Sequence, residues 1–457
     1  MAEASPPVEV DHEEDSTSLN HKPKSLVIFC DGTAQDGLLS RTDHTTGKDA
    51  VTSTNILRLS RAVRRSSKLT GREQIVYYQP GVGTDADFYG RPGGSRLSVV
   101  AYGTTVASKI RDVYGFIAAN YCAEDDICLF GFSRGAYTVR KVSGLIETMG
   151  ILSQQQMGKF YLYWQYLIDS SKGERPPTPP EPIPIKVVGC FDTVGSVWHG
   201  PGNPVLDALS IDDNKLVPNV KVALHALAFH ENRPEFKCTT WDESNKSPDQ
   251  IVKQVWFGGA HSEVGGGYGS PELADISLFW MVDELRTGKL VDIDESMIEG
   301  FRSPVPENPE TRLWGGTMPR NSWAEYGWFR QLILWFLVGS ADRLQEKEIT
   351  SESIFHRSLL NSPSKLLKPK NMITLDKLRD VFSKELPRWG EWNPKLADLG
   401  DFELKMQRQW NQKLDVRSSM PVEHLSQIRM LLEGVPDAPR RRGFTSNAAL
   451  TLLKYTA

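Results

Sequence analysis

The stretch Asp126-Ile-Cys-Leu-Phe-Gly-Phe-Ser-Arg-Gly-Ala136 runs from apolar residues directly into Gly-x-Ser-x-Gly. The continuous apolar run from Ile127 to Phe130 predicts a parallel strand buried on both faces. Beyond the motif, Ala136, Val139, Val142, Ile146 and Met149 recur at helical spacing, which predicts a helix with one apolar face. A serine between such a strand and helix sits on a sharp turn. Gly131 and Gly135 lack the Cβ atoms that would clash there, so Ser133 projects at the apex. The plainer alternative is a glycine-rich turn whose serine only caps the helix.

Outward from this point the first half alternates strand and helix. Strands are predicted over 25–30, 74–79, 185–190 and 254–257, with helices over 55–65 and 98–121. The second of these helices carries Val99, Val106, Ile110, Val113 and Ile117 on one face. Alternation of this kind predicts right-handed βαβ units and a mostly parallel sheet with helices on both faces. Joined to the Gly-x-Ser-x-Gly turn after a strand, it reads as an α/β-hydrolase-like fold. The stretch 222–231 (VALHALAFHE) reads as helical, and Pro176 to Pro184 as a stiff surface crossing within one domain. After about residue 286 the rhythm stops. The expected organisation is a disordered tail over 1–24, a catalytic domain over 25–285, and a helical, loop-rich extension or lid over 286–457 packing on it.

Composition narrows the classes. The chain has 457 residues, 39% hydrophobic and 24% charged, with a net charge of −4, so nothing overall favours a nucleic-acid partner. The triple Arg440-Arg441-Arg442 reads as a solvated loop. Cys30, Cys122, Cys128, Cys190 and Cys238 are an odd, scattered set without metal-ligand spacing. They predict neither a disulfide framework nor a zinc site, and a reducing compartment. No cofactor or metal is expected. The longest apolar run, Leu332 to Val338, is too short to span a bilayer, and residues 1–24 lack a signal-like apolar core. A cytoplasmic location follows as the expectation.

Serine-based acyl transfer needs a base, an acid to orient that base, and backbone donors for the oxyanion. Of nine histidines, His261 follows a strand directly, within Val255-Trp-Phe-Gly-Gly-Ala-His-Ser-Glu-Val-Gly-Gly-Gly-Tyr268. Its glycine-rich setting suits close backbone approach at the carboxyl edge of a sheet. The others sit in the tail, in loops, in the helix-like stretch or in the last third. The favoured acid is Asp192, at the end of the strand Ile-Lys-Val-Val-Gly-Cys-Phe. Asp275 and Glu263 compete; Asp275 otherwise caps its helix or contacts the histidine loop, and Glu263 and Asp31 otherwise support the catalytic side chains from behind. Asp275 would break the Ser…Asp…His chain order. Oxyanion donors are expected from the backbone N–H of Arg134 and of Gly32 or Thr33 in the loop Asp31-Gly-Thr33.

These pieces together resemble a known family, the α/β-hydrolase domain of type VI secretion phospholipase effectors and their fungal relatives. The resemblance rests on Phe29-Cys-Asp-Gly-Thr33, Thr54-Asn-Ile56, Gly81-Val-Gly-Thr84, Gly131-Phe-Ser-Arg-Gly-Ala136 and Phe191-Asp-Thr-Val-Gly195. It continues through His261-Ser-Glu-Val-Gly-Gly-Gly-Tyr268 and Leu273-Ala-Asp-Ile-Ser-Leu-Phe-Trp-Met281. It implies a Ser133–Asp192–His261 hydrolase acting on lipid or other acyl esters. Two positions depart from the usual pattern: His230-Glu-Asn-Arg233 replaces Asp-Glu-x-Arg, and His261-Ser-Glu263 replaces His-Ser-Asp. An acyltransferase or thioesterase, or a non-catalytic binding scaffold, remains as the alternative. The aromatic segment Trp323 to Val338 reads as a buried helix, a lid, or a peripheral membrane contact. Oligomeric state is left open.

Overall fold

The computed structural model describes residues 21–33, 53–81, 99–195, 214–268, 270–302, 313–325, 342–364, 366, 372–386 and 390–418. The expectations for the tail up to residue 20, for Val82 to Thr84, for 326–338 and for Arg440 to Arg442 fall outside them. Residues 1–407 form one compact unit and 408–457 a second.

Eight strands make one sheet in the order β2-β1-β3-β4-β5-β6-β7-β8. They are β1 (Ser25–Cys30), β2 (Gln74–Gln79), β3 (Asp126–Phe132), β4 (Ile185–Phe191), β5 (Val220–Ala228), β6 (Ile251–Phe257), β7 (Ile354–His356) and β8 (Lys395–Ala397). Every neighbouring pair is parallel. The helices that matter for the site are α1 (Asn55–Ala62), α2 (Val99–Asn120) and α3 (Arg134–Met149). After β6 come α4 (His261–Gly265) and α5 (Glu272–Thr287). No helix among the described residues is long and apolar enough to cross a membrane.

Strand alternation explains the two layers. Leu26, Ile28, Ile127 and Leu129 point to one face, sharing a core with Val113 of α2 and Val142 of α3. Each such fully buried side chain contributes about 1.5–3 kcal/mol. On the other face Phe29 and Phe130 stack with ring centres 5.1 Å apart. The absent Cβ of Gly189 leaves room there for Phe130 and for Met281 of α5.

Two expectations need correction. The stretch 222–231 is mostly strand β5, not helix. Alanine and leucine favour helix intrinsically, but burial between two parallel neighbours overrides that preference. The α/β rhythm also does not end near 286, because β7 and β8 extend the sheet beyond β6. Around them Phe355, Ile349, Leu378 and Trp392 form a second core with Leu227 and Trp256 of β5 and β6.

The sheet order fixes where the loops meet. From β1 the chain passes to one side, and from β3 onward it advances to the other. The carboxyl ends of β1 and β3 therefore open the crevice where parallel sheets place ligand sites. Helices α1 and α5 are bolted together beside it. Buried Asn55 donates to the carbonyls of Val264 and Ala274, and Arg58 Nη2 lies 2.5 Å from Asp275 Oδ1. Breaking a buried pair by removing one partner costs about 3–5 kcal/mol. Asp275→Ala should lower the urea unfolding free energy by that amount; a loss under about 1 kcal/mol, typical of an exposed pair, would contradict this placement.

Candidate active site

Ser133 follows β3 and precedes α3 in a left-handed backbone conformation, φ 57° and ψ −121°. An L-residue holds such a geometry only where its surroundings over-determine it, at a cost of about 1–3 kcal/mol. The Ser133 N–H donates to Phe191 O at 3.0 Å, and Ser133 O accepts from Val194 N at 3.3 Å. The turn after β3 is thus clamped by the turn after β4. Glycine is required on either side. A Cβ on Gly131 would lie 2.4 Å from Gly135 O, and one on Gly135 would lie 2.1 Å from Cys30 O. The Ser133 side chain makes no helix-capping hydrogen bond, which removes the plainer reading of this motif.

Asp192 directly follows β4 and is also left-handed, at φ 36°. Its side chain is completely buried. Oδ2 lies 2.6 Å from His261 Nδ1, and Oδ1 accepts from the Ala228 N–H at 2.9 Å. His261 begins α4, just past β6, with its own N–H donated to Glu231 Oε2 at 3.1 Å. The imidazole is held between Phe132, 4.7 Å away, and Phe236, 4.8 Å away and edge-on. With Nδ1 committed to Asp192, Nε2 is the nitrogen available to a substrate or nucleophile. No hydrogen bond joins Ser133 Oγ to the imidazole among the described residues. In substrate-free sites this contact is commonly long and tightens on binding.

Burial pushes the Asp192 carboxyl up, but Arg343, His261 and the Ala228 N–H more than offset it, leaving a pKa of about 2. Burial lowers the His261 pKa below its ordinary value, and the Asp192 hydrogen bond and charge oppose that only partly. The pair is therefore an ionised carboxylate beside a neutral imidazole, the state a general base needs at neutral pH. His225 and His230 are held neutral by burial, both near 3. His225 Nε2 accepts from the Thr193 N–H and supports the turn after Asp192. Burial likewise pushes the thiols of Cys128 and Cys190 up to about 12, far from a thiolate nucleophile.

The remaining sequence-predicted residues fall into separate positions. Gly32 donates its N–H to Asp31 Oδ1 at 2.7 Å, so that amide already has a partner. Arg134 Nη1 grips Thr33 Oγ1 at 2.6 Å, tying the loop after β1 to the first residue of α3. Asp31 also accepts from Thr54 Oγ1 and Tyr78 OH, both at 2.7 Å, so it braces this loop. Glu263 accepts from the N–H groups of Ala260 and Arg320 and steadies the histidine loop. Burial raises its pKa to about 7 despite those bonds. Asp275 pairs with Arg58 and not with His261.

Other residues enter the site that sequence reasoning did not select. Glu231 is buried, lowered below its ordinary pKa against burial by Arg233, and bonded by both Nε and Nη2 of that arginine. The Arg233 guanidinium stacks on Phe236, 3.5 Å from the ring centre, so it braces the ring that flanks His261. The stretch His230-Glu-Asn-Arg233, which keeps the Glu and Arg of the pattern Asp-Glu-x-Arg, was the available signal for this pair. Arg343 reaches Asp192 from the last third of the chain. Elsewhere His21, Cys122 and Asp125 bring ligand atoms within 4.8 Å of one another. Lys24 Nζ already sits 2.6 Å from Asp125, where a cation would go.

Residues 24–284 match the catalytic-domain model of the Tle1-like phospholipase effectors of type VI secretion. The chain belongs to this family. The Tle1-like segment spans β1 to α5 and so contains Ser133, Asp192 and His261. A Saccharomyces cerevisiae relative, the uncharacterized protein YEL023C, is 32% identical over 210 residues. That match covers 40% of this chain and 29% of the relative. Among solved structures, a Tle1 effector bound to the VgrG spike is 21% identical with a TM-score of 0.32, covering 55% of this chain and 53% of that one. Esterase 2 of Thermogutta terrifontis is 14% identical with a TM-score of 0.29, covering 62% and 85%.

The depressed Asp192 pKa makes a stability prediction. A carboxyl lowered on folding stabilises the native state above its unfolded pKa of about 3.9, and loses that contribution as pH falls toward 2. The contribution is on the order of 2–3 kcal/mol. The stability gap between wild type and Asp192→Asn, measured by urea unfolding, should therefore narrow from pH 6 to pH 2.5. A constant or widening gap would contradict it.

Proposed function

We propose that this Tle1-like domain, over residues 25–285, is a serine hydrolase cleaving carboxylic esters of lipid or related acyl substrates. Ser133 Oγ attacks the ester carbonyl while His261 Nε2 takes its proton. Asp192 fixes the imidazole tautomer and stabilises the imidazolium that forms. The backbone N–H groups of Thr33 and Arg134 receive the charge that develops on the carbonyl oxygen. The alcohol leaves with the proton from His261, giving an acyl ester on Ser133. Water, deprotonated by His261, then releases the acid.

The observation that carries this reading is the 2.6 Å contact between Asp192 Oδ2 and His261 Nδ1, next to a turn that hydrogen-bonds the strained turn at Ser133 through Phe191 O and Val194 N. Family membership supports an ester-cleaving reaction, and the buried, neutral imidazole supports general-base chemistry.

Hydrolysis of a short-chain nitrophenyl ester and of a diacyl phospholipid tests the assignment. Ser133→Ala and His261→Ala should each lower kcat by about three orders of magnitude or more. Asp192→Asn should lower it by about 10⁴-fold and Asp275→Asn by less than about tenfold. Near-normal turnover in His261→Ala would remove it as the base. A reversed ranking of the two aspartates would exchange their roles.

A further inference from the structure

We propose that Arg343, in a turn well beyond the family-matched segment, is a positioning residue of this site. It shares the Asp192 carboxylate with His261, and so sets how firmly Asp192 holds a proton on the imidazole. The inference rests on the triad reading above.

Arg343 Nη2 lies 3.1 Å from Asp192 Oδ2 and 3.3 Å from Oδ1. Oδ2 is the oxygen that contacts His261 Nδ1, so two donors compete for it. The guanidinium is itself locked and buried. Nη1 donates to Phe236 O at 2.7 Å and to Glu348 Oε2 at 2.8 Å, and Nε to Ala228 O at 3.2 Å. Glu348 is held in turn by the Cys238 N–H at 2.8 Å. The turn closes on itself, because Arg343 O accepts from the N–H of Glu348 and Ile349, and Ile349 belongs to the second core. Only a planar fork makes this set of contacts; an ammonium would supply a point charge without them.

The consequence is electrostatic. A carboxylate shared with a permanent cation stabilises an imidazolium less than an unshared one does. His261 then stays neutral to lower pH while Asp192 stays ionised. The titratable and charged groups around the imidazole are Asp192 after β4, Glu231 and Arg233 after β5, Glu263 on its own helix, raised to about 7 by burial, and Arg343 behind Asp192. Glu348 opposes Arg343 from its far side. Cancelling that negative charge strengthens the cation at Asp192, whereas removing Arg343 abolishes it. The two changes move the imidazole in opposite directions, which a purely structural ion pair would not do.

The experiment is the pH profile of kcat/KM for nitrophenyl ester hydrolysis by the full-length chain, with Ser133→Ala as control. Arg343→Met should move the acid limb upward by about one pH unit, and lower kcat by about 10–100-fold as a lost supporting contact. Glu348→Gln should move the acid limb downward. If Arg343→Met does not fold, Glu348→Gln decides alone: a downward shift supports the proposal and no shift, or an upward one, overturns it. Retained turnover in Ser133→Ala would bring down the triad reading and this proposal with it. An inactive Ser133→Ala beside unshifted limbs in the folded variants would bring down this proposal alone.

Discussion

A carboxylate with no exposure to solvent at the end of β4 is the constraint around which the rest of the site is arranged. Left unpaired, the ionised Asp192 would cost several kcal/mol, because the interior cannot replace its hydration. The fold answers with an N–H from the end of β5, an imidazole from the start of α4, and a guanidinium from the last third of the chain. Each comes from a different element, so satisfying one charge brings these segments to one rim. The electrostatic requirement and the chemistry coincide: the ionised acid that must be paired is the one that fixes the histidine tautomer.

A second constraint is steric and lies one strand away. The turns at Ser133 and Asp192 are both left-handed, and their backbones hydrogen-bond each other through Phe191 O and Val194 N. Neither strained turn has to hold its shape alone. Close approach makes the coupling possible: the β1 loop touches α3 where Gly135 lacks a Cβ, and Gly81 nearly meets Gly32 O. The positions are compact enough that one added methyl group would push the loop after β1 away from the turn at Ser133.

Much of this was legible in the sequence because the signals were local. The strands at 25–30 and 74–79 have the bounds their apolar runs predict, and the helix over 99–120 follows its seven-four-three-four spacing. Ser133, Asp192 and His261 each stand at the end of an apolar run, where a strand gives way to a loop or helix. Legibility failed where tertiary context decides. β5 is rich in alanine and leucine, and only its two parallel neighbours make it a strand. β7 and β8 are three residues each, too short to show a period. Arg343 stands 151 residues from Asp192, and nothing near it in the chain marks an arginine that will lose its water.

The central claim is that Ser133 is an activated nucleophile facing an oxyanion site. The most direct measurement is reaction of the folded, full-length protein with a fluorophosphonate, followed by mass mapping of the modified peptide. A single covalent adduct on Ser133 is the predicted result. A folded protein that stays unmodified, or carries its adduct on another residue, would contradict the account.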